Sequence, residues 1–298
     1  MVSQARSKNL TLDPEHFPVQ QSPCCKFSIK MVKVNEVIGL LPAGGRGTRI
    51  EPLPCSKELF PIGFRKIDGL DEMRPKVVSH YLLEKMRIAG IRKAYFILRQ
   101  GKWDIPAYFG DGHILDMYVG YLMMRVPFGP PYTLDQAYPF VRGKTVAFGF
   151  PDIMFDADDA FVKLLDRQTT TEADVVLGLF PVKEPWTMDM VEVDGSGVIH
   201  SIHIKPHATT LTYGWVIATW TPIFTEFLHE HLLNDKQDTK KDMSGSAESS
   251  ELTVGHVLQA ALGNRLRIQS ITFQEGSYID IGTPDNLVKA VYDKKIHQ

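Results

Sequence analysis

The sequence predicts an α/β layered fold with a mainly parallel sheet. Two observations lead there. Short apolar runs alternate with stretches of helical periodicity, and the first apolar run stops abruptly at a cluster of glycines. Alternation of this kind argues for strand–helix–strand units, and continuous apolar runs suit strands covered on both faces.

Taken in order, residues 1–34 are polar and aperiodic and read as an N-terminal extension. NEVIGLLPA, residues 35–43, is the first buried strand. KVVSHYLLEKMRIAG, residues 76–90, has apolar positions at helical spacing and ends on Gly90, a helix-stop residue. KAYFILR (93–99), KTVAFGFPDIMF (144–155) and ADVVLGLFPV (173–182) are three further strands. EVDGSGVIHSIHI (192–204) reads as a hairpin turning at Asp194-Gly195. Residues 234–251 are poor in apolar side chains and read as a flexible surface loop. Residues 35–298 thus form one domain.

Composition narrows the function. The net charge of −2 offers no global basic field for nucleic acid or anionic lipid, so any anion binding is local. No run of 18 apolar residues is present to cross a membrane, and the N-terminus lacks the apolar core of a signal peptide. Three cysteines, Cys24, Cys25 and Cys55, cannot build a disulfide framework, so a reducing cytoplasm is expected.

The chemistry starts at VIGLLPAGGRGTRIEPLPCSKELFPIG, residues 37–63. In an open α/β sheet, anionic ligands bind at the carboxyl ends of the strands. Gly44, Gly45 and Gly47 place no Cβ between backbone and anion, so their N–H groups can turn inward. Arg46, Arg49 and Lys57 add positive charge. A dinucleotide fingerprint is excluded by Ile50, and a Walker pattern by the lack of a following Gly-Lys-Ser/Thr. A tight turn with solvated cations is the other reading of the glycines alone.

GGRGTR (44–49), PLP (52–54) and SKELFPIG (56–63) together resemble the sugar-1-phosphate nucleotidyltransferases, the glucose-1-phosphate thymidylyl- and uridylyltransferases in particular. The resemblance continues through YFGDG (108–112), LDQA (134–137), PDIMF (151–155), IKP (204–206) and SYIDIGTPDNLVKA (277–290). It covers residues 35–298 and implies a Rossmann-like three-layer fold of the nucleotide-diphospho-sugar transferase type. It further implies a nucleoside triphosphate and a sugar 1-phosphate as partners, Mg2+ as cofactor, and leaves a homo-oligomer open. Because the chain stops soon after the last motif, the resemblance also implies that the left-handed β-helix of some relatives is lacking.

Residue roles follow from the resemblance. Gly44, Gly45, Gly47, Thr48, Arg49 and Thr133 would bind nucleotide; Arg49, Lys57 and Asp152 would be catalytic; Asp152 and Asp280 would hold the metal; Asp189, Lys205 and Gly214 would bind sugar phosphate. Such a reaction needs charge neutralisation and positioning more than proton transfer, and magnesium takes one or two carboxylates plus phosphate oxygens. For a lone aspartate after a strand, a cap or turn role is the alternative.

The departures are informative. Eight residues separate Arg49 from Lys57, where many relatives have ten. Thr133 stands where a small residue packs against the base, Phe128 near the place of a base-reading glutamine, Met188-Asp189 where relatives have Tyr-Gly, and Ile204 in place of a sugar-holding glutamate. A pyrimidine triphosphate is expected. Two other functions stay open: cytidylyl transfer to a non-sugar phosphate, and a catalytically inactive nucleotide- or nucleotide-sugar-binding relative. His200 and His203 are placed on opposite faces of a strand and are not read as a zinc site. Trp186 and Trp215 bracket the sugar side, where they either stack on sugar or pack.

Overall fold

A computed structural model describes residues 36–67, 70–124, 129–241 and 252–292 of the 298. The expected extension 1–34 and Phe128 lie outside them. The chain runs β1 (Val37–Ala43), β2 (Pro61–Ile67), β3 (Leu70–Val77), α1 (Val78–Ile88), β4 (Lys93–Arg99), α2 (Asp104–Phe109), β5 (Tyr118–Met124), α3 (Pro130–Asp135) and α4 (Tyr138–Val141). It continues with β6 (Thr145–Gly149), β7 (Ile153–Phe155), α5 (Ala160–Thr171), β8 (Val175–Pro181), β9 (Met190–Val193), β10 (Ile199–His203) and β11 (Tyr213–Trp220). α6 (Pro222–Lys241), α7 (Val254–Gly263), β12 (Ile268–Thr272), β13 (Tyr278–Asp280) and α8 (Pro284–Tyr292) complete it.

The fold is the expected mixed α/β one. β6, β1, β4 and β5 pair in parallel, in that order. β11 joins β6 antiparallel and carries β8 on its other side, and β12 pairs parallel with β8. The β9–β10 hairpin attaches where Gly214 meets Met190. Alternate residues of each central strand feed two cores. On one face Leu41, Phe96, Ala147, Val176 and Phe180 pack with α1, α2 and α5; on the other Leu40, Ile97, Phe148, Leu177 and Trp220 pack with α3, α4, α6 and α7. Helices on both faces leave the middle strands no exposed side, which explains why β6 is apolar and buried at nearly every position.

Two expectations are corrected. Residues 144–155 form two strands, because Pro151 cannot donate to a ladder and the chain turns at Phe150, whose carbonyl accepts from Ile153 N–H at 3.1 Å. That break sets Asp152 at the sheet's end. The stretch expected to be a loop from residue 234 is helical at its start: α6 continues to Lys241, tied to α3 by Tyr132 Oη donating to Asp235 at 2.5 Å. Polar helix formers extend a helix that its apolar face has already docked; residues 242–251 lie outside the described set. No helix among the described residues is long and apolar enough to cross a membrane.

Candidate active site

The chain leaves β1 between two neighbours it reaches by opposite routes, β4 on one side and β6 on the other. A crevice opens at such a switch point, outside the carboxyl ends of the strands. A cavity of about 310 Å³ lies there, and Gly44, Gly45, Lys57, Thr133, Asp152, Asp189, Lys205 and Asp280 all line it. Eight of the residues singled out in the sequence therefore share one cavity, although they span nearly the whole domain.

The glycines behave differently from one another. Gly45 is exposed and a Cβ there would meet nothing, so its backbone faces open cavity. Gly44 is buried, and a Cβ would meet the end of the Met124 side chain, which would have to move aside. Gly47 adopts φ +74°, a left-handed conformation that starts the short 3-10 turn Thr48–Ile50. Thr48 and Arg49 on that turn are exposed and do not line the cavity. Arg49 instead reaches Gly282: a Cβ at Gly282 would lie 2.9 Å from Arg49 Nη2 and 2.9 Å from Asp280 Oδ1. The glycine lets a cation approach that carboxylate.

The two aspartates meet through the β7–β13 ladder. Asp280 pairs with Ile153, and Ile281 N–H donates to the Asp152 carbonyl at 3.2 Å. Lys57 Nζ forms an ion pair with Asp152 Oδ2. Burial and the Asp152 carboxylate hold Asp280 above the usual aspartate range, against the Gly282 N–H, Lys57 and Arg49. Burial disfavours the Lys57 ammonium, but Asp152 and Glu58 outweigh it and keep its pKa above the ordinary lysine value. Asp280, raised in part by the charge of Asp152 beside it, is poised for a cation.

A second ion pair stands behind this one, and the sequence reading missed it. Glu58, only 1% exposed, accepts from Lys102 Nζ at 2.5 Å; Lys102 is 5% exposed. Burial pushes the Glu58 carboxyl up and the Lys102 ammonium down, and their mutual attraction opposes both shifts. The partners are 44 residues apart, and nothing in either local sequence announces the pair.

At the other end of the cavity stand Asp189, Lys205, Trp215 and the first residues of α7. Thr253 caps α7, accepting from His256 N–H at 3.4 Å. Asp189 is buried, and a Cβ on Gly255 would fall on its Oδ2, so α7 must start with a glycine in its first turn. Gly214 does not line the cavity; it lets β11 pass close to the Asp189 carbonyl, 3.1 Å from where its Cβ would be. Lys205 holds φ +39° on the loop after β10. Thr133 is 5% exposed and spends its hydroxyl on the Gly129 carbonyl, 3.1 Å away, so it lines the cavity without offering that donor. Trp186 is exposed at the surface, whereas Trp215 is buried. His200 and His203 are exposed in separate hydrogen bonds, to Asp194 and Ser201, and no cluster of three metal-ligating side chains occurs among the described residues. Burial, together with Asp104 and Glu58, pushes the Cys55 thiol up, away from the reactive thiolate.

The mixed α/β fold, with its large central sheet, matches the fold of solved nucleotidyltransferases. No family model matches the chain. By sequence it is 26% identical over 285 residues to a Bacillus subtilis protein assigned as a UTP–glucose-1-phosphate uridylyltransferase, covering 85% of this chain and 95% of that one. It is 24% identical over 258 residues to a glucose-1-phosphate thymidylyltransferase of Mycolicibacterium smegmatis, covering 85% and 80%. By structure it matches a UDP-glucose pyrophosphorylase solved with UDP-glucose, at a TM-score of 0.66 and 16% identity, over 85% of this chain and 96% of that one. The resemblance to sugar-1-phosphate nucleotidyltransferases read from the motifs thus holds in sequence and in fold. These comparisons lend no support to transfer onto a non-sugar phosphate.

Proposed function

We propose that the chain is a sugar-1-phosphate nucleotidyltransferase, joining a nucleoside triphosphate to a sugar 1-phosphate with release of pyrophosphate. The observation that carries this reading is the convergence of Lys57, Asp152 and Asp280 in one cavity with Gly45 at one side and Lys205 at the other. A phosphate oxygen of the sugar 1-phosphate attacks the α-phosphorus; a new P–O bond forms and the bond to the bridging oxygen of pyrophosphate breaks. Little proton transfer is needed, so catalysis rests on alignment and charge neutralisation.

The loop backbone at Gly44 and Gly45 receives the triphosphate, with Arg49 beside it. Lys57 exchanges Asp152 for phosphate oxygens, moving positive charge to where the transition state gains negative charge. Lys205 holds the phosphate of the sugar substrate. Asp152 and Asp280 suit magnesium, because two carboxylates leave the remaining positions to phosphate and water. When bound there, the ion supplies Lewis-acid neutralisation of phosphate charge. Thr133, with its hydroxyl engaged, gives the base a small apolar wall, and a pyrimidine triphosphate fits that reading.

The test is a matrix of UTP, dTTP, CTP, ATP and GTP against hexose 1-phosphates, with magnesium, reading released pyrophosphate. Release that requires both a pyrimidine triphosphate and a sugar 1-phosphate is expected. No release with any pair would overturn the activity, and preference for a purine triphosphate would overturn the base assignment.

A further inference from the structure

The Glu58–Lys102 pair is costly as a mere brace. Both side chains are almost fully out of water. Desolvating two charges is expensive, and an apolar pair of similar size often holds a fold as well or better. Stability alone therefore does not account for it. Its place does, because Glu58 lines the same cavity as Lys57 and Asp152. Glu58 Oε1 accepts from Lys102 Nζ at 2.5 Å, while Oε2 is buried and accepts no hydrogen bond. A carboxylate oxygen left dry and unbonded is unfavourable, so a donor that can reach it is favoured.

We propose that Glu58 and Lys102 are positioning residues for Lys57: Lys102 holds one oxygen of Glu58, and the other takes the Lys57 ammonium when Lys57 gives up Asp152 for phosphate. The proposal rests on the nucleotidyltransferase reading and adds what steadies its lysine during the reaction. An ammonium carries three donors, so Lys57 can keep one on Glu58 and turn the others to phosphate oxygens. After Asp152, Glu58 is the carboxylate that acts most strongly on the Lys57 charge. Lys102 has its own part in this. Burial pushes the Glu58 carboxyl up, and Lys102 is the foremost group holding it down, so it keeps Glu58 an acceptor.

The backbone under Lys57 is already fixed. Lys57 and Glu58 open a short 3-10 turn, Lys57–Leu59. Just before it, Ser56 N–H donates to Asp104 Oδ2 at 2.6 Å and Ser56 Oγ to Asp104 Oδ1 at 2.7 Å. Ser79 Oγ of α1 donates to the Glu58 carbonyl at 2.7 Å. Lys102 and Asp104 lie at the start of α2, so one short segment grips the turn at Ser56 and at Glu58, on either side of Lys57. With the turn held, the carboxylates that the ammonium meets set where it sits. Placement matters here, since a shift of about 1 Å in a reacting group can cost about a hundredfold in rate.

The decisive variant removes both charges at once. Glu58→Gln combined with Lys102→Met leaves no buried charge unpaired, so its urea midpoint should lie near that of wild type. With magnesium, glucose 1-phosphate and UTP or dTTP, its kcat should fall about ten- to a hundredfold while both KM values hold, the pattern of an interaction made only in the transition state. A purely structural pair predicts the opposite, turnover recovering together with stability. A double variant as fast as wild type, or one that changes KM alone, would therefore overturn the positioning role and leave the activity standing. Should the double variant fail to fold, Glu58→Asp decides. It keeps the charge and draws the carboxylate back by one methylene, so kcat should drop about tenfold; a wild-type kcat would sink the proposal. Absence of turnover by the wild-type protein with any sugar 1-phosphate overturns the activity and the positioning role together.

Discussion

The two ends of the cleft each hold a carboxyl raised above its ordinary range, for different reasons. Asp280 is raised by burial and by a second carboxylate, Asp152, with Lys57 and Arg49 close by. Asp189 is raised by burial, and its charged neighbours lower it. The first end is a lattice of alternating charge, Lys102–Glu58 behind Lys57–Asp152, able to exchange partners when polyphosphate and a cation arrive. The second sets one buried carboxyl, Asp189, against the Lys205 cation and the Trp215 indole. One end couples four charges; the other holds a single buried carboxyl.

The comparison can be broken most strongly at the buried pair. Lys102→Met leaves Glu58 with no counter-charge in a dry site and should destabilise the fold by about 3–5 kcal/mol, read by urea unfolding. Adding Glu58→Gln to it should restore most of that loss. A single variant as stable as wild type would show that the pair contributes nothing.

Asp152→Asn and Asp280→Asn come next. Each keeps size and removes a charge, so turnover should fall by about two orders of magnitude or more while the melting temperature holds. Near-normal magnesium-dependent pyrophosphate release in both would make these aspartates structural. Gly47→Val follows: a β-branched residue is strained at φ +74°, so the turn that carries Arg49 should move, and triphosphate affinity should drop by about tenfold. Equal affinity by titration calorimetry would remove the turn from the nucleotide site.

The smallest effect sharpens the contrast through pH. The folded-state pKa of Asp189 lies above its unfolded value of 3.8. Its contribution to stability is fully present below pH 3.8 and is lost as pH rises through the folded value. Asp189→Asn should therefore gain stability relative to wild type as pH rises, in urea unfolding with EDTA. Magnesium should raise the wild-type melting temperature through Asp152 and Asp280 and leave this pH difference untouched. If magnesium abolishes it, the two ends are not independent.

Much of the fold was legible because burial leaves a mark on local sequence. Strands β1, β4 and β8 and helix α1 lie within a few residues of their expected bounds, since a strand covered on both faces must be apolar throughout. Residues 144–155 were misread as one strand because apolarity outweighed Pro151. The helical end of α6 was missed because a polar tail looks like a loop until tertiary contacts extend the helix. The glycine loop, Lys57, Asp152 and Asp280 could be marked from motifs as one site; the Lys57–Asp152 ion pair and the β7–β13 ladder that bring them together could not.

By itself the sequence determined a parallel-rich sheet, a backbone-lined loop after the first strand, and the residue types able to meet phosphate and a divalent cation. Only the tertiary structure decided what those groups face. The Glu58–Lys102 pair joins residues on opposite sides of α1 in the chain, and Asp189, just before β9, meets Trp215 of β11. The physical reason is desolvation. A charge or a hydrogen-bonding atom is ordinary in water, and it becomes selective only once long-range packing has removed the water around it.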